Sequence, residues 1–340
     1  MKAVGLLRYL PIDNPESLMD IELPMPETIA RDLLVRVHAI AVNPIDTKVR
    51  KPKDKVETQP KVLGWDAAGE VVQVGPECSL FKVGEHVYYS GEIGRPGSNA
   101  EYQLVDERLV GRMPQSLNYE QAAALPLTAV TAWESLFDRM GIAMGKAANQ
   151  GKSILIIGGA GGVGSVAIQL AKQVAGLTVI ATASRPETIA WVRELGAEHV
   201  VDHRKPLVPQ LTELGLAQVD YILCNSDTDA YFDTMAELIK PQGKVCLLVD
   251  SVQPQNLTKF KMKSVTLVWE SMFTRSLFRT PDMDEQHRIL GWVTALVEQG
   301  LIRSTLKQVL SPINAANLRA AHAQLEAGSA IGKIVLSGWN

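Results

Sequence analysis

The sequence is poor in cysteine: its 340 residues include only three, Cys78, Cys224 and Cys246, and none of them forms a C-x-x-C pair. So few thiols argue against a disulfide framework and against a zinc site built from cysteines. No apolar run approaches the roughly 18 residues that a membrane-spanning helix needs. The amino-terminal segment also lacks the features of a secretory signal, so we expect a cytoplasmic protein.

Charge of one sign is not in excess, because 34 basic and 37 acidic side chains leave a formal net charge of −3. This balance gives no electrostatic reason to expect nucleic acid or an anionic membrane as a partner. Hydrophobic residues make up 46% of the chain, which is ordinary for a globular enzyme. The length allows about two domains, each with its own core.

The most informative positive signal is the segment ILIIGGAGGVG at residues 154–164, an apolar run that ends in a glycine-rich turn. A helical pattern follows it at once, so the glycines fit the G-x-G-x-x-G motif in its strand–turn–helix context. Such a turn lets the backbone approach a pyrophosphate at a helix amino terminus. A purely structural turn is the alternative. The predicted phosphate-binding residues are Gly159, Ala160, Gly161, Gly162, Val163 and Gly164.

Short strands and helices alternate from residue 152 onward, with strands predicted at 178–183, 199–202, 219–224 and 244–250. This alternation predicts an α/β fold with a doubly wound parallel sheet. The first 110 residues are instead strand-like and rich in glycine and proline, which predicts an irregular β domain. We place the β-rich domain at 1–120, completed by 262–340, and the sheet domain at 121–261.

The end of the second strand of this domain indicates which dinucleotide binds. NAD-binding domains usually place an acid about 20 residues beyond the glycines, on the ribose hydroxyl. The sequence has no acid from 165 to 186, and Ser184 and Arg185 stand at the strand end instead. A hydroxyl and a guanidinium suit a 2′-phosphate, which predicts NADPH. The alternative is that Arg185 is a solvated turn residue.

The order of the domains and three segments carry a family resemblance: GGAGGVG, AAALPLTAVTAWESL at 122–136 and GKIVL at 332–336. The chain resembles the medium-chain dehydrogenase/reductase superfamily and, within it, the zinc-independent quinone oxidoreductase branch. SMFTRSLF at 271–278 is similar to the group called zinc-type alcohol dehydrogenase-like proteins. The resemblance implies a GroES-like catalytic domain, a Rossmann domain, NADPH and a homodimer.

Zinc-dependent members of the superfamily bind zinc with a Cys and a His–Glu pair in the first domain. The matching positions here are Asn43, Trp65 and Asp66. Because catalytic zinc needs three strong N, S or O ligands, we predict that no metal binds. Without a Lewis acid, hydride transfer needs an acceptor that is already electrophilic, such as a quinone or an α,β-unsaturated carbonyl.

The remaining parts of the site are suggested by the resemblance and, for Asn225 and Leu248, by their position at strand ends; Lys48 stands where many quinone reductases have a tyrosine. The candidate catalytic residues are Asn43, Asp46, Lys48 and Thr131. The further cofactor contacts are His203, Asn225, Leu248 and Lys333. Aromatic side chains that could form an apolar substrate wall, or could simply be core, are Trp65, Tyr89, Trp269 and Phe273.

Three functions agree with these observations. The favoured one is an NADPH-dependent, zinc-free reductase of quinones or activated alkenes, in which Asn43, Lys48 or solvent meets the developing oxyanion. The second is a zinc-type alcohol dehydrogenase. The third is an NADPH-binding sensor or structural protein with weak turnover.

Overall fold

The computed structural model describes residues 1–339. In that range the strands are β1 Lys2–Tyr9, β2 Met19–Glu22, β3 Asp32–Ala41, β4 Lys53–Val62, β5 Asp66–Val74, β6 His86–Ser90, β7 Tyr102–Asp106, β8 Val110–Arg112, β9 Ser153–Ile157, β10 Thr178–Thr182, β11 His199–Val201, β12 Val219–Cys224, β13 Ile239–Leu247, β14 Thr266–Trp269, β15 Leu306–Leu310 and β16 Lys333–Ser337.

The α-helices of the same range are α1 Pro44–Arg50, α2 Tyr119–Ala123, α3 Pro126–Trp133, α4 Gly162–Gln169, α5 Pro186–Glu194, α6 Leu207–Glu213, α7 Thr228–Leu238, α8 Thr258–Lys261, α9 Thr274–Phe278, α10 Glu285–Glu298 and α11 Ala315–Glu326. Two of them, α3 and α4, continue into π-helical turns. Between residues 1 and 339 no helix combines the length and apolarity needed to cross a membrane.

The chain forms two compact units, which comprise 1–130 with 273–339, and 131–272. These boundaries fall later than the predicted ones at 120 and 261. One reason is that the first turn of α3 is bonded to the first unit, where Leu127 N donates to a carboxylate oxygen of Asp66 at 2.7 Å. The other is that β14, which the sequence pattern did not predict, is a strand of the second unit's sheet.

The first unit is built on an antiparallel sheet around β3. The order of its sheet is β15-β16-β3-β5-β6-β8, with β7 also paired to β3, and a second sheet has the order β2-β1-β4. Most of β3 is buried, because antiparallel partners lie along it: β5, β7 and β16. This arrangement confirms the GroES-like β-rich domain expected from the sequence.

The second unit contains one six-stranded parallel sheet, in the order β11-β10-β9-β12-β13-β14. Numbered along this unit, the order is 3-2-1-4-5-6, that of the doubly wound dinucleotide-binding fold. All five residues of β9 are buried, as expected for a strand covered on both faces. The predicted parallel sheet is therefore confirmed, and the strand order reverses between β9 and β12. Ligands of such sheets bind at the carboxyl ends of the strands near this reversal.

Candidate functional site

The glycine turn lies at the carboxyl end of β9, where the strand order reverses. Gly161 caps α4, which starts at Gly162. A Cβ on Gly164 would lie 2.3 Å from the carbonyl oxygen of Gly158, so this glycine permits the helix to approach the turn. A Cβ on Gly161 would be free of close contacts, because its nearest neighbour would be the carbonyl oxygen of Gly158 at 3.6 Å. The turn therefore presents exposed backbone at a helix amino terminus, where an anion is favoured.

An amide without partners lies beside this turn. Asn225 follows β12, and its backbone N–H donates to Ile157 O at 3.0 Å. Its side-chain Nδ2 and Oδ1 are both buried, and neither has a hydrogen-bond partner within residues 1–339. Buried polar groups are normally paired, so this amide is suited to a ligand at the reversal point. The residues of the second unit therefore fit a dinucleotide.

The carboxyl end of β10 brings together the residues predicted to select the cofactor. Ser184 Oγ lies 3.2 Å from His203 Nε2, although 19 positions separate them in sequence. Arg204, which the predicted site omitted, donates from a terminal guanidinium nitrogen to Ser184 O at 2.8 Å. Arg185 is more than a third exposed and pairs with Glu187 at 2.9 Å. A hydroxyl, an imidazole and two guanidinium groups thus surround one strand end.

A second acid beside this group, Asp202, is paired with Arg204. Asp202 accepts from Arg204 through both side-chain oxygens and also from its backbone N–H. These bonds lower the pKa of Asp202 to about 2. Its carboxylate fixes the position of the Arg204 guanidinium beside Ser184, and each of the two arginines of the group is paired with one acid.

The other predicted contacts of the second unit differ in their exposure. Leu248 follows the carboxyl end of β13 and is half-buried. Thr131 is buried within α3. Trp269 ends β14 and is half exposed, so it is a surface residue of this unit rather than part of its core. Their roles toward a cofactor or substrate stay predictions.

The first unit buries a polar group that we call the lysine cluster: Asn43, Asp46, Asp66 and Lys333. Asn43 Nδ2 donates to Asp66 Oδ2 at 2.8 Å and to Ala41 O at 3.3 Å. Lys333 Nζ donates to Val42 O at 3.0 Å, to Asp66 Oδ2 at 2.9 Å and to Asn43 Oδ1. The Asn43 amide therefore has no spare N–H for a substrate oxygen in this conformation.

This geometry places Lys333 differently from the expectation based on the resemblance. An ammonium has three donors, and the three bonds above use all of them. The side chain is 3% exposed and lies with the candidate catalytic residues of its own unit. In this conformation it has no N–H left for a pyrophosphate.

Asp46 joins the lysine cluster through the backbone. Its Oδ2 accepts from Asn43 N at 2.7 Å, which closes the first turn of α1. Its Oδ1 is buried with no partner within the described residues. Burial raises the pKa of Asp46 to about 7, although the Asn43 N–H and the Lys333 charge act in the opposite direction. This carboxyl thus gains and loses its proton near neutral pH.

Lys48 is the exposed member of the candidate catalytic set. It lies on α1 and borders a surface depression of about 420 Å³, with Thr47, Lys51 and Pro11 among the other lining residues. Because its ammonium reaches solvent, it is better suited than Asn43 to meet a developing negative charge.

The three candidate aromatic residues of the first unit are all buried, and two of them are in contact. Trp65 and Phe273 meet edge to face with ring centroids 5.9 Å apart, and Trp65 Nε1 donates to Glu92 O. Tyr89 is completely buried, and its hydroxyl donates to Gln103 Oε1 at 2.9 Å. Tyr89 is therefore a core residue, which was the alternative to a place in the substrate wall.

The residues at the expected zinc positions do not form a zinc site. Asn43 and Asp66 are bonded to each other and to an ammonium, and the indole of Trp65 offers only an N–H donor. Zinc is bound by thiolate, imidazole or carboxylate, and only Asp66 belongs to that set. Residues 1–339 contain no group of three His, Cys, Asp or Glu side chains that could hold a metal.

A second ionic group, the arginine cluster of Glu134, Arg139 and Glu270, was not predicted from the sequence; both glutamates are buried and Arg139 is half-buried. Arg139 Nε donates to Glu270 Oε2 at 2.7 Å, and a terminal nitrogen donates to Glu134 Oε2 at 3.0 Å. Burial first, and then the neighbouring Glu134, raise the pKa of Glu270 to about 9. The available signal was that each glutamate directly follows an apolar segment, TAVTAW and TLVW.

Comparison with known proteins places the chain in a family. The model described as "Alcohol dehydrogenase GroES-like domain" matches residues 30–115, and the one described as "Zinc-binding dehydrogenase" matches residues 162–292. A zinc-type alcohol dehydrogenase-like protein of Staphylococcus aureus is 44% identical over 99% of this chain and 100% of its own length. The chain therefore belongs to the medium-chain dehydrogenase/reductase superfamily, and it is an oxidoreductase of that superfamily.

Two further relatives show the breadth of this similarity. One is a Rhizobium etli protein whose crystal structure is described as that of a proposed zinc-dependent alcohol dehydrogenase. It is 51% identical, with a TM-score of 0.94, and the match covers 100% of this chain and 98% of that one. An NADPH-dependent alkenal/one oxidoreductase of Arabidopsis thaliana is 36% identical over 69% of this chain and 60% of its own length. The similar proteins thus include some that are named after zinc-type or zinc-dependent alcohol dehydrogenases and one that is named as an alkenal/one oxidoreductase.

Proposed function

We propose that this protein is an NADPH-dependent reductase that delivers hydride to quinones or α,β-unsaturated carbonyl compounds without zinc. The observation that carries the proposal is the cluster at the end of β10, where Ser184, His203 and Arg204 converge beside Arg185. A 2′-phosphate carries two negative charges at most and several acceptor oxygens, which this cluster complements. The name of the Arabidopsis relative, an NADPH-dependent alkenal/one oxidoreductase, supports the same assignment.

The cofactor would be held by the second unit. The backbone N–H groups at the start of α4 would bind the pyrophosphate, and Asn225 would supply donors and acceptors at the reversal point. When bound, the nicotinamide supplies a hydride to the electrophilic carbon of the substrate. Electrons then move to the substrate oxygen, which takes a proton from solvent.

The substrate class follows from the chemistry of the lysine cluster. Its atoms are paired with each other and do not form the three-ligand set of a catalytic zinc, which would polarise a carbonyl. A substrate whose own conjugation stabilises the negative oxygen suits such a site. Lys48, as the exposed cation of α1, would stabilise that oxygen further.

A turnover assay tests the proposal against its two rivals. The purified protein would be given NADPH or NADH with quinones, alkenals and simple ketones, and its bound metal would be measured. We expect NADPH oxidation with quinones or alkenals. Stoichiometric zinc with alcohol–ketone turnover would instead establish an alcohol dehydrogenase. Tight NADPH binding with no acceptor reduced would favour a sensor. The homodimer and the cytoplasmic location expected from the sequence stay predictions.

The Arg185→Ala variant tests the cofactor assignment. Losing a charge-assisted bond to the 2′-phosphate costs about 1.5–3 kcal/mol, so kcat/KM for NADPH should fall roughly 10- to 100-fold. The value for NADH should not change. Arg193→Ala, an exposed arginine at the end of the same helix, is the matched control and should leave both values unaltered. Equal losses with both cofactors would contradict a 2′-phosphate contact.

A further inference from the structure

The ammonium of Lys333 occupies a closed cage of oxygen atoms. Its three acceptors differ in kind: the backbone carbonyl of Val42, the amide oxygen of Asn43 and the carboxylate of Asp66. Both charged partners are almost completely buried, with side-chain exposures of 3% for Lys333 and 0% for Asp66. One negative charge and two neutral oxygens around a single cation form a coordination shell for a small, hard cation.

This cage is connected to several elements of the first unit. Val42 and Asn43 follow β3, Asp66 starts β5, and Lys333 starts β16. The second carboxylate oxygen of Asp66 accepts from Leu127 N in the first turn of α3. The backbone N–H of Asn43 in turn donates to Asp46 at the start of α1. Loss of the cation would therefore leave converging oxygens at the point where α1 begins.

We propose that Lys333 is the protein's built-in cation and that its charge positions the segment from Asn43 to Lys48 for hydride transfer. It is a positioning residue, because it acts through Asn43 and the start of α1 on Lys48. Two of its three ligands, Asn43 and Asp66, stand where zinc-dependent relatives have metal ligands, so an organic cation takes the place of a metal there. The positioning role rests on the proposed function, whereas the cation cage does not.

The effect of the Lys333 charge can be tested separately from the effect of its side-chain volume. The stem of Lys333 fills space, but only its N–H donors satisfy the three oxygens. Lys333→Ala removes both and leaves a cage with room for an added amine. Lys333→Met keeps the stem without the charge. A small alkylammonium should therefore restore the alanine variant but not the methionine variant.

The experiment compares these two variants with the wild type in methylammonium chloride or tetramethylammonium chloride. The two salts carry the same charge, but tetramethylammonium has no N–H donor. We expect kcat of both variants to fall roughly 100-fold, as for a misplaced reacting group, while the Kd for NADPH stays within about twofold. Methylammonium should recover at least part of kcat in Lys333→Ala alone. Lys82→Ala, an exposed lysine of the same unit, is the control and should behave as wild type.

Thermal unfolding gives a readout that does not depend on turnover. The midpoint for Lys333→Ala should rise by roughly 2–4 °C with methylammonium and not with tetramethylammonium. If the wild type reduces no quinone or enone, this shift still tests the cage separately from the proposed function. If Lys333→Ala folds only in the presence of methylammonium, the cage is supported as well.

Three results would overturn the inference. The first is a Lys333→Met variant with wild-type kcat, which would show that the charge is dispensable. The second is equal effects of the two salts on Lys333→Ala. The third is a large loss of NADPH affinity with kcat retained at saturation, which would return Lys333 to the pyrophosphate contact expected from the resemblance.

Discussion

Each unit of the molecule contains a cation that lies beside two buried carboxyl groups, but the two arrangements differ. Of the two carboxyl groups in the lysine cluster, Lys333 is bonded only to that of Asp66, and the carboxyl of Asp46 accepts from the backbone N–H of Asn43. In the arginine cluster Arg139 contacts both Glu134 and Glu270. A guanidinium can hold two carboxyls with a fixed fork of donors, whereas an ammonium with one carboxylate fills its other positions with neutral oxygens.

The difference determines where the extra proton resides. Burial is the largest cause of the raised pKa in both Asp46 and Glu270. Repulsion by a second carboxylate comes next for Glu270, which shares its cation, and comes last for Asp46. The pKa of Glu270 accordingly rises to about 9 and that of Asp46 to about 7. At neutral pH the arginine cluster therefore keeps a proton, while the lysine cluster is at its titration point.

Removing the shared cation should have the largest effect on stability. Arg139→Met leaves Glu134 and Glu270 buried without a counter-charge, and breaking a buried pair in this way costs about 3–5 kcal/mol. We expect the lower end of that range, because Glu270 already holds a proton. Guanidinium-induced unfolding at pH 8 would measure the loss.

The control for this variant is Arg288→Met. Arg288 is paired with Asp284 and Glu285, but its side chain is 58% exposed, so its loss should cost less than about 1 kcal/mol. Equal losses in the two variants would show that the arginine cluster contributes no more than a surface pair.

The pH dependence of stability should distinguish the clusters next. With the pKa of Glu270 raised from 4.5 to about 9, the folded protein binds a proton that the unfolded chain has lost. Stability due to this group therefore falls as pH rises through that window, by up to about 1.4 kcal/mol per pH unit. Glu270→Gln mimics the protonated form. The free energy of unfolding of the wild type should fall by roughly 2–3 kcal/mol between pH 6 and 8 because of Glu270, and this fall should be absent in the variant.

Unfolding free energies of wild type and Glu270→Gln at these two pH values provide the measurement. Glu237→Gln, on α7 of the same unit, is the matched control and should keep the wild-type slope. A Glu270→Gln protein with the full wild-type slope would mean that Glu270 is ionised in the folded state.

Local pattern was sufficient to predict most of the fold and to indicate a cofactor end of the site, which stays a prediction. The glycine turn, β9, β10 and the Ser184–Arg185 strand end depend on neighbours in sequence, so periodicity and turn chemistry identify them. The alternation of strands and helices then predicts a parallel sheet with right-handed connections, although not its strand order. β14 was missed because four residues beyond an irregular segment carry no distinctive period.

The buried ionic clusters could not be predicted in the same way. Lys333 meets Asn43 across 290 positions, and Arg139 meets Glu270 across 131. Nothing near a lysine in GKIVL shows which oxygens it will reach, and the family resemblance suggested a pyrophosphate instead. Similarly, Tyr89 is core because Gln103 satisfies its hydroxyl, a pairing that no local pattern reveals.

The smallest expected effect belongs to Asp46→Asn. The asparagine oxygen can still accept from Asn43 N, so the start of α1 should persist while the titrating proton is removed. The wild-type pKa is raised from 3.8 to about 7, so stability from this group falls as pH rises through that lower window. Between pH 5 and 6.5 the free energy of unfolding of the wild type should fall by roughly 1–2 kcal/mol because of Asp46, and this fall should be absent in the variant. Above pH 8 the two proteins should have the same slope. The two charge-removing variants would then flatten different pH ranges, as expected if repulsion by the second carboxylate, Glu134, and not burial alone, sets the higher pKa of Glu270. If Asp46→Asn instead altered the slope up to pH 9, the two clusters would titrate together and the distinction between them would fail.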